Sequence, residues 1–243
     1  MAEKKLALRI YAEGAFHSLR IPEQMTYQGS FYYPPRTTLI GMAGAALGKE
    51  RYELEQLYEE LQVGIVLNGV PGKAMDLWRI VKPKKGVRPE ATVILRDMIY
   101  APHYWLYFSS KKQEIIEKLK ESFLNPCFAL TLGKSDELVL MKAPEIVDLS
   151  RAEEWATYRW TVLPFDYKEW QKNGKCQLEK IELSQPIQLP QVFQLPRAFE
   201  TKMERKMRPR RRKDLGFFTH VYEVGIKVKD PGWYDGERYF FFF

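Results

Sequence analysis

The chain has 243 residues, 45% of them hydrophobic, which is enough for one large domain or two small ones with a real core. Its 38 Lys and Arg residues exceed its 31 Asp and Glu residues, so the net charge of +7 suits a polyanionic partner. The two cysteines form no CxxC motif and the three histidines are far apart. This pattern excludes a structural zinc site and favours a reducing compartment.

Hydropathy gives no sign of a membrane segment. No apolar run approaches about 18 residues, and the N-terminus lacks the apolar core of a signal peptide. We therefore expect a cytoplasmic protein without a membrane partner. We also expect neither a metal ion nor a cofactor, because no pattern in the sequence is typical of either.

The first predicted elements are a strand and a short helix. Leu6, Leu8 and Ile10 alternate with less apolar residues, the period-2 pattern of a half-buried strand. A loop over residues 13–33 leads to Pro34 and Pro35, which a helix cannot run through. An apolar, glycine-containing helix should then begin near residue 37 and end at Gly48.

Three features of this helix suggest a site. Thr37 and Thr38 can cap its free N–H groups, and Gly41 and Gly44 expose backbone for a close neighbour. Arg36 would stand at the positive end of the helix dipole, where an anion such as phosphate is favoured.

A phosphate-binding loop of the Walker type is the alternative reading of this stretch. The segment from Gly44 to Lys49 has glycine spacing one residue short, and Glu50 replaces the Ser or Thr that binds magnesium. The glycines also end the helix instead of preceding it. Nucleotide hydrolysis is therefore disfavoured.

The middle of the chain predicts a projecting hairpin. A helix over about 50–61 and a strand over 63–67 come first. Two β-prone arms, Ala74–Val81 and Ala91–Ile99, then flank a proline-containing connection. Neither arm alternates cleanly, so the hairpin at about 70–100 should be solvated. Its tip carries four cations: Lys82, Lys84, Lys85 and Arg88.

The alternating pattern returns after residue 100. Tyr104, Leu106 and Phe108 can face a core, while His103, Trp105 and Tyr107 face away. A helix over 111–124 and a strand over 128–132 follow. The order β–α(α)–β–hairpin–β–α–β predicts an α+β, ferredoxin-like (RRM-like) domain over residues 1–148. Its helices would cover one sheet face and leave the other available.

Residues 149–243 predict a smaller β-rich unit. Strand-like runs cover Gln177–Leu183 and Pro186–Leu195, and Thr219–Val228 alternates as a final strand. Between them, residues 202–213 hold eight basic residues and one acidic residue, a composition that stays solvated until it meets a polyanion. The cations expected to bind there are Arg205, Lys206, Arg208, Arg210, Arg211 and Arg212.

Three motifs together resemble the CRISPR-associated family-five proteins, RAMP-superfamily subunits of the type I Cascade complex. They are the run from Tyr33 through the Pro-Pro-Arg-Thr-Thr stretch to Gly48, the run from Arg96 to Tyr104, and Leu132-Gly-Lys-Ser135. The resemblance covers about residues 1–148. It implies a ferredoxin-like body whose thumb hairpin grips the 5′ handle of the guide RNA (crRNA).

The resemblance also implies partners and contacts. Family members cap one end of a filament of backbone subunits and touch the large subunit, so target DNA is met only indirectly. RNA handles are recognised through stacked bases and phosphate contacts. Besides the cations at the hairpin tip and in segment 202–213, the residues expected to bind RNA are Arg36, Thr37, Tyr27, Tyr33, Arg96 and His103, and Trp105 could also stack.

Two other functions remain open. One branch of the family cuts precursor guide RNA without a metal, which requires acid–base groups near the scissile bond. The constellation that could do this is His103 beside Tyr104 with Lys84 or Lys85. An RRM-like protein of unrelated biology is disfavoured because no RNP1-type aromatic motif occurs.

Overall fold

The computed structural model describes residues 4–24, 27–82, 90–180, 187–199 and 212–243. The protein is a mixed α+β, strand-rich structure with few helices. Its first half contains β1 (Lys4–Gly14), β2 (Phe16–His17), β3 (Leu19–Arg20), β4 (Tyr27–Gln28), β5 (Ser30–Phe31), α1 (Arg36–Ala46), a 3₁₀ turn (Arg51–Glu53), α2 (Leu54–Glu60), β6 (Gln62–Leu67), β7 (Gly72–Lys82), β8 (Glu90–Tyr100), β9 (His103–Ser109) and α3 (Gln113–Leu124).

The second half is built almost entirely from strands. It contains β10 (Val139–Arg151), β11 (Ala156–Tyr158), β12 (Val162–Leu163), α4 (Tyr167–Lys172), β13 (Cys176–Leu178), β14 (Gln191–Phe199), β15 (Arg212–His220), β16 (Ile226–Val228), β17 (Trp233–Tyr234) and β18 (Tyr239–Phe240). None of the helices within the described ranges is long and apolar enough to cross a membrane.

An antiparallel sheet in the order β18-β17-β10-β1-β9-β6 forms the body. One face of β1 and β9 presents Leu8, Ile10, Leu106 and Phe108 to the helices, as the alternating pattern predicts. The apolar sides of α1 and α3 pack against these residues, so the main core lies between the sheet and its helices.

The strand after α3 differs from its sequence prediction. The structure places it at Val139–Arg151, whereas Phe128–Leu132 forms only an isolated bridge from Thr131 to Leu138. Lys4–Gly14 pairs with the longer run at Val139–Arg151 instead. This strand extends past residue 148, the boundary expected between the two units.

The second face of the sheet is only partly open, whereas the sequence predicted that all of it would be available. A C-terminal strap, Trp233–Phe243, runs across it, and the Phe240 ring stacks on Tyr107 with centroids 3.9 Å apart. Gly64 permits this approach, because a Cβ there would lie 2.7 Å from Phe240 Cδ2. The strap also exchanges backbone hydrogen bonds between Phe243 and Val63.

Two long hairpins adjoin this body: the first projects from it, and the second packs against α1 and α2. In the first hairpin, β7 and β8 pair from Gly72 with Tyr100 to Lys82 with Glu90. In the second hairpin, β14 and β15 pair from Gln191 with His220 to Phe199 with Arg212.

The prediction of one strand over Thr219–Val228 is wrong. The structure ends β15 at His220 and starts β16 only at Ile226. The long-range partner of residues 212–220 is Gln191–Phe199, and a local alternation pattern cannot reveal such a pairing. The small sheet β11-β16-β13 packs with α4 in a second core around Tyr158. Of the strand expected over residues 177–183, the described residues form only its first two positions, because β13 ends at Leu178 and residues 179 and 180 belong to no strand.

Candidate nucleic-acid interface

Arg36 begins α1, but its guanidinium group is used inside the protein. Nη2 donates to the carbonyls of Tyr58 and Leu61 at 2.7 and 2.9 Å, at the C-terminal end of α2. Nη1 donates to the Arg197 carbonyl at 2.5 Å and Nε to the Phe243 carbonyl at 3.1 Å. Burial lowers the pKa of Arg36, and the carbonyl groups supply the negative ends of dipoles that a buried cation needs.

The expected anion site at the start of α1 is therefore corrected. The N-cap is Pro35, no side chain caps the helix, and Thr37 lies partly exposed in the first turn. Arg36 instead lies in the wall of a cleft of about 490 Å³ between α2, the second hairpin and the strap. Arg197, a wall residue that sequence reasoning missed, contributes through its backbone carbonyl.

Tyr33 is also structural. Its ring is fully buried, its hydroxyl donates to the Val221 carbonyl at 2.6 Å, and it stacks near Tyr222 with centroids 5.8 Å apart. Burial raises the pKa of its phenol well above the usual value. The expected stacking of an RNA base on Tyr33 is corrected, because no face of the ring is exposed.

Two polar clusters fasten the base of the first hairpin to the body. In the first, the Tyr27 hydroxyl donates to Asp97, which raises the pKa of Tyr27, and Lys73 pairs with the same carboxylate at 2.7 Å. Tyr27 remains partly exposed at this junction.

The second cluster surrounds Arg96, which is only 8% exposed. Its Nη2 donates to Asp76 at 2.6 Å, and its guanidinium lies 5.2 Å from the Trp78 ring centroid. Lys134, from the Leu132–Ser135 motif, lies 3.5 Å from the same centroid. Burial and the nearby Arg96 charge lower the pKa of Lys134. The Leu132–Ser135 motif and the buried Arg96 side chain therefore hold the hairpin in place.

His103 and Tyr104 lie on opposite faces of the sheet. Tyr104 is fully buried, and its hydroxyl donates to the Tyr32 carbonyl while accepting from His17 Nε2 at 2.7 Å. His103 is partly exposed on the other face, 6.0 Å from Tyr11 between ring centroids. The described part of the chain therefore does not bring the expected acid–base pair together.

Tyr11 shows where the exposed aromatic residues gather, and sequence reasoning missed it. It stands directly opposite Trp105, with ring centroids 4.9 Å apart, and beside His103. Arg9 and Arg238 approach the Trp105 ring at 5.3 and 4.4 Å. The alternation of β1 placed Tyr11 on this face, but the neighbour across the sheet depends on strand register.

The connections of both hairpins lie outside the described residues. Lys82 ends β7 and Arg212 begins β15. The expected RNA contacts that fall in the undescribed connections are Lys84, Lys85, Arg88, Arg205, Lys206, Arg208, Arg210 and Arg211. Within the ranges the structure describes, no three His, Cys, Asp or Glu side chains are grouped closely enough to hold a metal ion.

Taken together, the antiparallel sheet backed by helices and the two long hairpins define a strand-rich α+β protein. A family model described as "CRISPR-associated protein (Cas_Cas5)" matches residues 7–211. The chain belongs to this family. No curated protein matches it at the level of sequence.

Two solved structures share the fold over nearly the whole chain. A chain of a "CRISPR RNA-guided surveillance complex" is 15% identical, covers 94% of this chain and 91% of its own, and has a TM-score of 0.55. A CRISPR protein from Archaeoglobus fulgidus is also 15% identical, covers 97% and 98%, and has a TM-score of 0.54. At this identity the likeness concerns the fold.

Proposed function

We propose that this chain is a non-catalytic, RNA-binding subunit of a type I CRISPR Cascade surveillance complex. It binds and caps the 5′ handle of the crRNA in the cytoplasm, contacts the backbone and large subunits, and meets target DNA only indirectly. The observation that carries the proposal is the first hairpin, two paired 11-residue strands that leave the body of a Cas5-family chain. A fold neighbour from an RNA-guided surveillance complex supports it.

The strand order supports a ferredoxin-like body. Numbered by their place in the chain, the four long strands β10, β1, β9 and β6 follow the order 4-1-3-2, with helices between the first and second and between the third and fourth. In this reading the first hairpin is the thumb, inserted between the second and third strands of that body.

The charges of the hairpin connections support RNA as the ligand. In the sequence, Lys82 ends β7, Lys84, Lys85 and Arg88 lie between β7 and β8, and most of the basic run of residues 202–213 lies between β14 and β15. Cations on long arms suit the phosphates of a single strand, whose binding is dominated by release of counterions. Arg36, Tyr33 and Arg96 serve this function by holding the scaffold, as their internal contacts indicate.

Binding of a handle-bearing RNA tests the proposal. Purified protein should bind RNA with the 5′ handle at least about tenfold more tightly than RNA of the same length with the handle scrambled, a difference of about 1.4 kcal/mol. The same incubation without divalent metal should leave the RNA intact. Equal affinity for the two RNAs would make the binding non-specific, and metal-free cleavage at the repeat would establish the nuclease alternative.

A further inference from the structure

We propose that Tyr11, His103 and Trp105 form an aromatic platform that stacks an unpaired nucleobase. This inference rests on the proposed function and adds a second contact zone, separate from the hairpin tips. The three residues lie on β1 and β9, the two central strands of the long four-stranded unit, and share the face turned away from the helices. Single-stranded RNA is commonly recognised by aromatic side chains at such positions of a small sheet.

The strap covers this part of the sheet only partly. It covers the middle of β9, where Tyr107 is fully buried under Phe240. Two residues earlier on the same face, Trp105 is partly exposed, as are His103 and Tyr11. Part of the aromatic surface therefore stays exposed beside the strap, although Arg238 of the strap lies 4.4 Å from the Trp105 ring centroid.

The chemistry of the platform suits the face of a base better than a phosphate. Arg9 and Arg238 lie near the Trp105 ring, but both pair with Asp235, and Arg9 also pairs with Glu145 at 2.9 Å. Their charges are compensated, so little net attraction for a phosphate remains here. The rings themselves offer stacking, which every base can accept because every base has a π-face.

Two ring nitrogens of the platform are unpartnered. Within the described residues, Trp105 Nε1 and His103 Nδ1 have no hydrogen-bond partner although both atoms are buried. Buried polar atoms of this kind are rare in folded proteins. These two nitrogens are therefore polar groups of the platform that the described protein leaves free for a ligand.

The platform also adjoins the base of the first hairpin. Asn68, between β6 and β7, donates its side-chain amide to the Tyr11 hydroxyl at 3.2 Å and its backbone N–H to the His103 carbonyl at 2.8 Å. Tyr100, the last residue of β8, pairs with Gly72 at the base of the hairpin and is 62% exposed. A strand of RNA gripped by the hairpin can therefore continue onto the platform.

Paired substitutions of Tyr11 test the platform. Tyr11→Leu keeps an apolar side chain but removes the π-face, whereas Tyr11→Phe keeps the ring and removes only the bond from Asn68. With fluorescently labelled, handle-bearing RNA, Tyr11→Leu should bind about 5- to 150-fold more weakly, the range of base–aromatic stacking. Tyr11→Phe should stay within about twofold of wild type, in line with the small net value of one exposed hydrogen bond.

The salt dependence of binding and a comparison with DNA identify the kind of contact that Tyr11 makes. Loss of stacking should lower the affinity at every salt concentration without changing the slope of its salt dependence, since no phosphate contact is removed. DNA of the same sequence should lose the same factor with Tyr11→Leu if the platform reads the base face. A changed slope would instead assign Tyr11 to phosphate binding and overturn the platform.

The two possible failures can be told apart. If wild type binds the handle RNA tightly and Tyr11→Leu binds it equally well, the platform is wrong while the proposed function stands. If wild type does not prefer the handle RNA, the proposed function fails and the platform fails with it. Should Tyr11→Leu not fold, 4-thiouridine RNA can be cross-linked to wild type: adducts on Tyr11, His103 or Trp105 support the platform, and adducts confined elsewhere refute it.

Discussion

At the scale of single residues, Arg36 shows how a cation can be stabilised without an anion. Its guanidinium group joins the end of α2, the second hairpin and the strap through four carbonyl oxygens. A cation is favourable at a helix C-terminus, where the carbonyl groups of α2 are otherwise unpaired. The local sequence suggested an anion because these carbonyls come from residues 22 or more positions away.

Removal of the Arg36 side chain should mainly lower the free energy of unfolding. Arg36→Ala leaves several part-buried carbonyls without donors, so we expect a loss of about 2–5 kcal/mol in the free energy of unfolding. Arg36→Lys should recover only part of it, because an ammonium group lacks the planar fork of donors. Urea denaturation measures both. If Arg36→Ala unfolds like wild type but binds RNA more weakly, the structural role is wrong and Arg36 forms the anion site that the sequence predicted at the helix start.

Two buried histidines should make the protein acid-sensitive. Burial lowers the pKa of His17 and of His220 to about 3, whereas the unfolded chain takes up these protons near the ordinary value of 6.5. The unfolded state therefore binds more protons as the pH falls below about 6.5. The free energy of unfolding should drop by about 1.4 kcal/mol per pH unit for each histidine until the pH approaches 3.

His220→Phe isolates one of these contributions. His220 lies among the rings of Phe31, Tyr33 and Phe193, so a phenyl ring suits its surroundings. Below pH 6 the variant should show a pH slope smaller by about 1.4 kcal/mol per unit, because the carboxylate contributions are common to both proteins. Equal slopes in urea denaturations between pH 4.5 and 6 would show that His220 is protonated in the folded state.

At the scale of elements, the two glycines of α1 differ in their surroundings. Packing requires a glycine at position 44, whereas the glycine at position 41 only lowers the helix propensity. A Cβ at Gly44 would lie 2.3 Å from Leu54 Cδ2, whereas nothing lies within 4 Å of one at Gly41. The sequence suggested a close neighbour at both positions. The structure confirms it at Gly44 only, because α2 crosses α1 on that side.

Two matched leucine variants check this distinction. Gly44→Leu should lower the free energy of unfolding by about 1–3 kcal/mol through overpacking. Gly41→Leu replaces the same residue in the same helix, so it should be neutral or stabilising by up to about 1 kcal/mol. Thermal melts of the two variants give the comparison. Similar losses in both would mean that a general disturbance of α1, and not the contact with Leu54, sets the effect.

The basic residues of the first hairpin lead to a prediction about RNA binding. Reversal of Lys84 and Lys85 to glutamate should weaken RNA binding and reduce the slope of log affinity against log salt by about 1.4, the value for two phosphate contacts on a single strand. Reversal of the exposed Lys111 and Lys118 changes the net charge equally on another surface and serves as the control. If both double variants lose the same affinity, the overall charge of +7 binds RNA and the hairpin tip has no special part.

At the scale of the whole molecule, local sequence patterns predicted individual elements but not the pairing of elements that are distant in the chain. The alternation in β1 and β9, helices α1 to α3 and the first hairpin follow from patterns among near neighbours in the chain, whereas α4 was not predicted. The second hairpin joins residues 191 and 220, and the strap crosses the sheet from the far end of the chain, so neither has a local pattern. For the same reason His103 was predicted as a site residue, while its partner Tyr11, 92 positions earlier, was not.

The RNA that the protein retains in cells tests the central claim most directly. The protein should be co-expressed with a precursor guide RNA and the other subunits of its complex, purified, and the 5′ ends of the bound RNA sequenced. We predict that these ends fall at one position, so that every molecule begins with the same short handle followed by variable sequence. Bound RNA with scattered 5′ ends, or no bound RNA, would contradict it.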